Sequence, residues 1–125
     1  MPPRKINLVE AADAKITKVF DPHIAGDVND AQAKVAKFGE AFDWHAHEHE
    51  DEAVLVLRGR IAIDFRDGPV ELGEGDMYVV PKGTRHNPVA DEECHVMLIE
   101  RKSTLHTGDV VNEKTRTLAE QLRPL

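Results

Sequence analysis

Cysteine is nearly absent from this 125-residue chain: Cys94 is the only one. A single thiol excludes an internal disulfide framework and a cysteine-rich zinc site. Positive charge is in deficit, since 16 Lys and Arg stand against 23 Asp and Glu for a formal charge of −7. That balance argues against a general binder of nucleic acid or of an anionic membrane. No apolar run approaches the roughly 18 residues needed to span a bilayer. Asn7, Glu10, Asp13 and Lys15 interrupt the region where a secretory segment would need apolar continuity. The expected setting is therefore a soluble cytoplasmic protein, which suits a lone thiol. Cys94 opens the apolar stretch Cys94-His95-Val96-Met97-Leu98-Ile99 and reads as a buried structural thiol.

Repeats and low-complexity linkers are also missing. At 41% apolar residues the chain has the makings of one folded domain. Three regions stand out: a flank over residues 1–38, a dense middle over 39–101 and a tail over 102–125. The middle reads as β-structure. Ala53-Val54-Leu55-Val56-Leu57 is a continuous apolar run ending at Arg58-Gly59-Arg60. Ile61, Ile63 and Phe65 alternate with Ala62 and Asp64, the period-two pattern of a half-buried strand. Turn residues Asp67-Gly68-Pro69, Gly73-Glu74-Gly75-Asp76 and Lys82-Gly83-Thr84 separate Val70–Leu72, Met77–Val80 and Val96–Ile99. Short strands with turn chemistry between them suggest an antiparallel sandwich or barrel. In the flank, Asp30 could cap a helix over residues 31–38 with Gly39 as its stop, or the same stretch could be a strand. In the tail, Leu118 and Leu122 lie four apart within a candidate helix, Thr115 to Leu122.

Against these shortages the chain is rich in histidine, with seven, three of them in Trp44-His45-Ala46-His47-Glu48-His49-Glu50-Asp51-Glu52. Residues two apart on a strand share a face, so His45 and His47 can aim imidazoles at one point. Glu52, at the start of the apolar run, can return a carboxylate to the same place. Imidazole plus carboxylate suits Fe, Mn, Co, Ni, Zn or Cu better than Ca or Mg. The plain alternative is a solvated acidic loop with incidental histidines, and His86, taken singly, reads as a loop residue. His49 reads as solvent-exposed or as a neighbour of the ligands. His23, His95 and His106 read as background positions.

Spacing adds a further argument. Gly39, five residues, His45, one, His47, four, Glu52, six, Gly59 is one pattern; Gly75, five, Pro81, one, Gly83, two, His86 is another, fifteen residues on. Together these nine positions resemble the two motifs of the cupin superfamily, at the short separation of small single-domain bacterial cupins. The middle is also similar to proteins described as cupin-2 conserved barrel or mannose-6-phosphate-isomerase-like. One departure is Ala90, where the second motif usually ends in Asn. The resemblance implies an all-β fold, a double-stranded β-helix or jelly-roll barrel, with an N-terminal strand extension and a short C-terminal helix. It makes residues 31–38 a strand. It also implies that His45, His47, Glu52 and His86 ligate one divalent transition metal (Fe, Mn, Ni, Co or Zn), and that Gly39, Gly59, Gly75 and Gly83 occupy turns that favour positive φ or close backbone approach.

Three imidazoles and one carboxylate leave roughly two positions open at an octahedral ion, which separates a catalytic site from a closed structural one. A divalent ion there would carry net positive charge and favour a small anionic or enolisable substrate. The resemblance favours a dioxygenase, with a sugar or keto-acid isomerase as alternative and a non-catalytic metal or ligand sensor as a third reading. Arg85 and Tyr78 are possible substrate contacts. Strand parity puts Val54 and Val56 inward with Glu52, and Arg58 with them at the strand end. It puts Phe42 and Trp44 outward if His45 and His47 point in. The other apolar parity of residues 54–57 then has to meet a second sheet or a second subunit, so a homodimer is expected.

Overall fold

The alternating and apolar stretches form seven strands in a computed structural model that describes residues 4–102. These are β1 (His23–Val28), β2 (Ala31–Ala41), β3 (Glu52–Arg58), β4 (Ile61–Phe65), β5 (Gly68–Leu72), β6 (Met77–Val80) and β7 (Asn87–Arg101). One helix, α1 (Leu8–Lys15), precedes them. All strand pairings are antiparallel. The expected helix from Thr115 to Leu122, and His106, lie outside the described residues. No helix among the described residues is long and apolar enough to cross a membrane.

Strand β7 organises the barrel. It is far longer than the apolar stretch Val96–Ile99 that marks it in the sequence. Its start pairs with β4 (Asp64↔Asn87, Ala62↔Val89) and its end with β3 (Ala53↔Ile99, Val56↔Val96), while β2 runs beside it from Ala31↔Arg101 to Ala41↔Val89. Strand β6 completes the β3 side (Glu52↔Val80, Leu55↔Met77), and β5 pairs only with β4. One strand thus serves both faces of the jelly roll. The interior is filled by Ala36 and Phe38 of β2, Val54 and Val56 of β3, Ile61 and Ile63 of β4, and Cys94, Val96 and Leu98 of β7. Cys94 is fully buried, as expected of a structural thiol, and burial pushes its pKa up to about 11. Burying these aliphatic groups contributes about 1.5–3 kcal/mol per large side chain.

Residues 31–38 are strand, and the outward parity of β2 explains why helical propensity loses. Val35 faces away from the barrel but is fully buried, because Ala12 of α1 and Ile16, which caps the end of that helix, pack on it, with Leu57 and Met97 at the margin. The sequence reading did not anticipate α1. Its start is capped by Asn7, whose Oδ1 accepts a hydrogen bond from the Glu10 backbone N–H at 3.0 Å. The helix covers part of the outer apolar face that parity assigned to a second sheet or subunit. Met77, Val79 and Ile99 on that outer face stay exposed.

Parity holds for Val54 and Val56 but not for Arg58 or Phe42. A register shift between Val56 and Arg58 turns Arg58 out to solvent, where it pairs with Asp13 of α1 at 3.0 Å. Phe42 is buried in the core against Phe20 and Phe38, whereas Trp44 is exposed as expected. The cause lies upstream: the β2–β7 ladder shifts register between Phe38 and Glu40, with Glu40 at φ +77°, and the chain from Phe42 onward is not continuous strand. A bulge of this kind changes which side chains face inward. It also means that Glu40, and not Gly39, holds the positive φ at that turn.

Gly59 has both reasons to be glycine. Its φ is +87°, and a Cβ there would sit 3.0 Å from Cys94 Cβ on the neighbouring strand. Gly59→Ala is expected to lose about 1–3 kcal/mol of stability, read from the urea midpoint at unchanged slope.

Candidate metal centre

Two loops carry the histidines, and backbone hydrogen bonds hold the loops together. His45 N–H donates to His86 O and His86 N–H donates to His45 O, both at 2.9 Å. Gly83 N–H donates to His47 O at 2.8 Å, and Lys82 N–H donates to Asp51 Oδ1 at 2.9 Å. The loop after β2 is thereby stitched to the loop after β6. Glu52 arrives independently as the first residue of β3, pointing into the barrel with Val54 and Val56.

The imidazoles are oriented as well as placed. His45 Nδ1 lies 2.7 Å from Asp43 O, and His86 Nδ1 lies 2.8 Å from Thr84 O. A carbonyl oxygen only accepts, so both Nδ1 atoms carry the proton and both Nε2 atoms keep a lone pair. Metal-binding histidines are commonly fixed in this way. The rings of His45 and His86 are 4.4 Å apart between centroids, and those of His45 and His47 are 5.1 Å apart. One potential ligand atom from each of His45, His47 and His86 lies within 4.8 Å of the others. Glu52 Oε2 is 3.2 Å from His47 Nε2, and Glu52 Oε1 is 3.9 Å from His86 Nε2. All four side chains are buried.

The structure therefore gathers His45, His47, Glu52 and His86 in one place, and the donor set fits a metal. His86 Nε2 is buried with no hydrogen-bond partner in the protein, an arrangement that costs free energy unless something fills it. A cavity of about 10 Å³, bounded by Glu52, His86 and the core residues Val54, Ile63 and Leu98, lies beside them. It has room for about one water-sized object, not for a substrate. A divalent ion held by these residues would act as a Lewis acid with neutral imidazole and carboxylate donors. His49 is exposed, its Nε2 3.8 Å from Glu48, and is not part of the cluster. His95 is buried elsewhere, 3.7 Å from Asp13, and His23 lies 3.4 Å from Asp21.

Tyr78 and Arg85 line an open groove of about 640 Å³ together with Phe65, Pro81 and Thr84. The Phe65 ring is 5.7 Å from Tyr78 and 6.2 Å from His86, so it stands next to both groove and histidines. The Arg85 guanidinium donates to Trp44 O at 3.2 Å. Arg66 joins Arg85, Trp44 and Phe65 in an adjoining hollow.

Three buried polar residues of β2 and β7 were missed from the sequence: Gln32, Lys34 and Glu100. Lys34 Nζ lies 3.1 Å from Glu100 Oε1, and both side chains are fully buried. Gln32 is the ladder partner of Glu100, and Glu52 stands one step past the Ala53↔Ile99 pair, beside Glu100. Ligand atoms of His47, Glu52 and Glu100 all lie within 4.8 Å of one another. Burial would raise the pKa of Glu52, but the neighbouring imidazoles of His47 and His86 and the Glu100 carboxyl outweigh it and hold the carboxylate well below its usual value. Glu100 goes the other way, pushed well above the usual value by burial and by the Glu52 charge. The signal for all three was strand parity, since Gln32 and Lys34 share the parity of Ala36 and Phe38, and Glu100 that of Val96 and Leu98.

A small antiparallel barrel with histidines and a carboxylate gathered inside it defines the class. The sequence profile of the Cupin domain matches residues 34–100, and the chain belongs to the cupin family. A crystal structure of a cupin-2 domain containing protein from Shewanella frigidimarina NCIMB 400 is 38% identical, with a TM-score of 0.74, over 77% of this chain and 93% of that one. Protein NMB1881 from Neisseria meningitidis is 32% identical, with a TM-score of 0.71, over 78% of this chain and 99% of that one. The uncharacterized protein YdbB of Bacillus subtilis (strain 168) is 41% identical over 61 residues, which are 48% of this chain. The match spans 54% of that relative's length.

Burial, followed by repulsion from His86, lowers the His45 pKa to about 4. Unfolded histidine titrates near 6.5, so the unfolded chain takes up the proton first. Above about pH 6.5 both states hold neutral imidazole, and this group leaves stability unchanged. As the pH falls from about 6.5 towards 4, the metal-free protein should lose up to about 3 kcal/mol through this group. Urea denaturation at pH 7 and pH 4.5 with chelator present measures the loss.

Proposed function

We propose that this chain is a divalent-metal-dependent protein whose ion is held by His45, His47, Glu52 and His86 and acts on a small anionic or enolisable molecule. The observation that carries the reading is the pair of Nδ1–carbonyl bonds that turn the Nε2 atoms of His45 and His86 towards Glu52 and His47. The metal is of the Fe, Mn, Ni, Co or Zn group, as the donor chemistry favours. The groove supports an anionic substrate, because Arg66 and Arg85 bring two guanidiniums to the aromatic rings of Trp44 and Phe65. Tyr78 adds a hydroxyl on the same side. The interior cavity is too small for a substrate, so the groove is the side from which one would approach.

Within this reading the reaction class is a dioxygenase, using an ion with open positions for substrate and oxygen. Purified without chelator, the protein should hold about one transition-metal ion per chain, and His86→Ala should lose most of it. Metal analysis reads both. A stoichiometry far below one that added metal does not restore would overturn the metal reading. Oxygen uptake with a panel of small acids and hydroxy-ketones tests the reaction. Equal turnover without oxygen points to an isomerase, and metal binding without turnover points to a sensor.

The same proposal includes a cytoplasmic homodimer without nucleic-acid or membrane partners. Support comes from the outer apolar face, where Met77 and Val79 of the edge strand β6 and Ile99 of β7 are exposed. Light scattering after size exclusion should give twice the 14.0 kDa of the chain. A particle of single-chain mass at micromolar concentration removes the dimer.

A further inference from the structure

We propose that Glu100 is a fifth protein ligand of the metal, held in place by Lys34, so that the centre is built from three imidazoles and two carboxylates. The inference rests on the metal reading above and adds a residue outside both sequence motifs.

The geometry is that of a second donor triad sharing a member with the first. His47 belongs to the His45–His47–His86 group and also to the His47–Glu52–Glu100 group, in each of which the ligand atoms lie within 4.8 Å of one another. Donors on opposite sides of one ion, each about 2.1 Å from it, are about 4.2 Å apart. Both triads are therefore compact enough to close on one centre with small movements of side chains. Glu100 reaches the site from β7, the strand next to that of Glu52, at the adjoining position of the ladder.

Glu100 is also an unusual carboxyl to find here. It is fully buried, and its near neighbours are the Lys34 ammonium at 3.1 Å and the Glu52 carboxyl. Two ionised carboxylates placed side by side in this way are costly unless a proton or a cation compensates one of them. Lys34, 3.1 Å away, supplies one positive charge for the two carboxylates Glu52 and Glu100. A divalent ion supplies the rest. With Glu52 and Glu100 ionised, Lys34 charged and a divalent ion bound, the net charge of the cluster is +1, the same as that of a four-ligand centre without the Lys34–Glu100 pair. The second carboxylate is thus accommodated without making the site anionic. The buried Lys34–Glu100 pair is difficult to explain as core packing, because two aliphatic side chains would avoid the cost of burying it. With five protein donors, one position remains open at an octahedral ion, one fewer than binding both substrate and oxygen would use, so the inference rests on the metal reading and not on the dioxygenase reaction.

The test is a crystal structure of the Co²⁺-loaded wild type, combined with calorimetric Co²⁺ titration of the wild type, Glu100→Gln and the double variant Lys34→Met/Glu100→Leu. The double variant replaces the buried pair with apolar groups of similar volume, a change that buried ion pairs often tolerate. Circular dichroism confirms that each variant is folded. A Glu100 oxygen within about 2.4 Å of the ion is expected. Co²⁺ affinity is expected to fall about tenfold or more in both variants. A Glu100 oxygen more than about 3 Å from the ion overturns the inference, as does wild-type affinity in the folded double variant. If the wild type takes up no Co²⁺, the metal reading fails and this inference with it. Uptake with Glu100 outside the coordination sphere removes this inference alone.

Discussion

The reciprocal backbone hydrogen bonds between His45 and His86 are the constraint on which the candidate site depends. They join two loops that are 41 residues apart in sequence and make each histidine's backbone position a function of the other's. The side chains then have little freedom left, because the carbonyls of Asp43 and Thr84 fix two of the rings. Preorganisation of this kind is what a site needs if its donors are to converge before the ion arrives. Glu52 comes from a different source, the first residue of a strand whose register is set by β6 and β7. The centre thus combines loop-borne imidazoles with a strand-borne carboxylate.

Burial determines the electrostatics around that centre. His45 is held neutral, as a metal ligand must be. The two neighbouring carboxyls diverge, Glu52 held below its usual pKa and Glu100 above it. Lys34 is the only Lys or Arg among the buried residues of the described chain, and it stands 3.1 Å from Glu100. The acidic character of the described chain, by contrast, lies mostly outside the core, in exposed groups such as Glu48 and Asp51 around the barrel loops. These groups influence the site through solvent and contribute less than one buried charge does.

Much of the site was legible in the sequence because glycines and a proline pin the turns around it. Gly59, Gly75 and Gly83 take positive φ, and the spacing between such turns keeps His45, His47, Glu52 and His86 in fixed relation. The strand over residues 31–38 was legible only through resemblance, since local propensity allowed a helix. Lys34 and Glu100 were not read as site residues because parity turns them inward, but only the register of β2 against β7 brings them together. Pairing across 66 residues of sequence is not encoded in any local pattern. Phe42 was misplaced for a related reason: the shift at Glu40 breaks the alternation on which parity depends. Helix α1 did leave a mark, Asn7 followed three residues later by Glu10, but only Ala12 and Ile16 bury fully against the sheet and the periodic signal is weak.

The position of β7 at the end of the described chain has a consequence for biosynthesis. His45, His47, Glu52 and His86, and the turns that set them, emerge from the ribosome before residue 87. The strand that β2, β3 and β4 all pair with follows only afterwards. Until it arrives, those strands present unpaired edges, which are prone to pairing with other chains. The nascent chain therefore carries a nearly complete set of donors on a scaffold that cannot yet close, and closure of the barrel waits for its last strand.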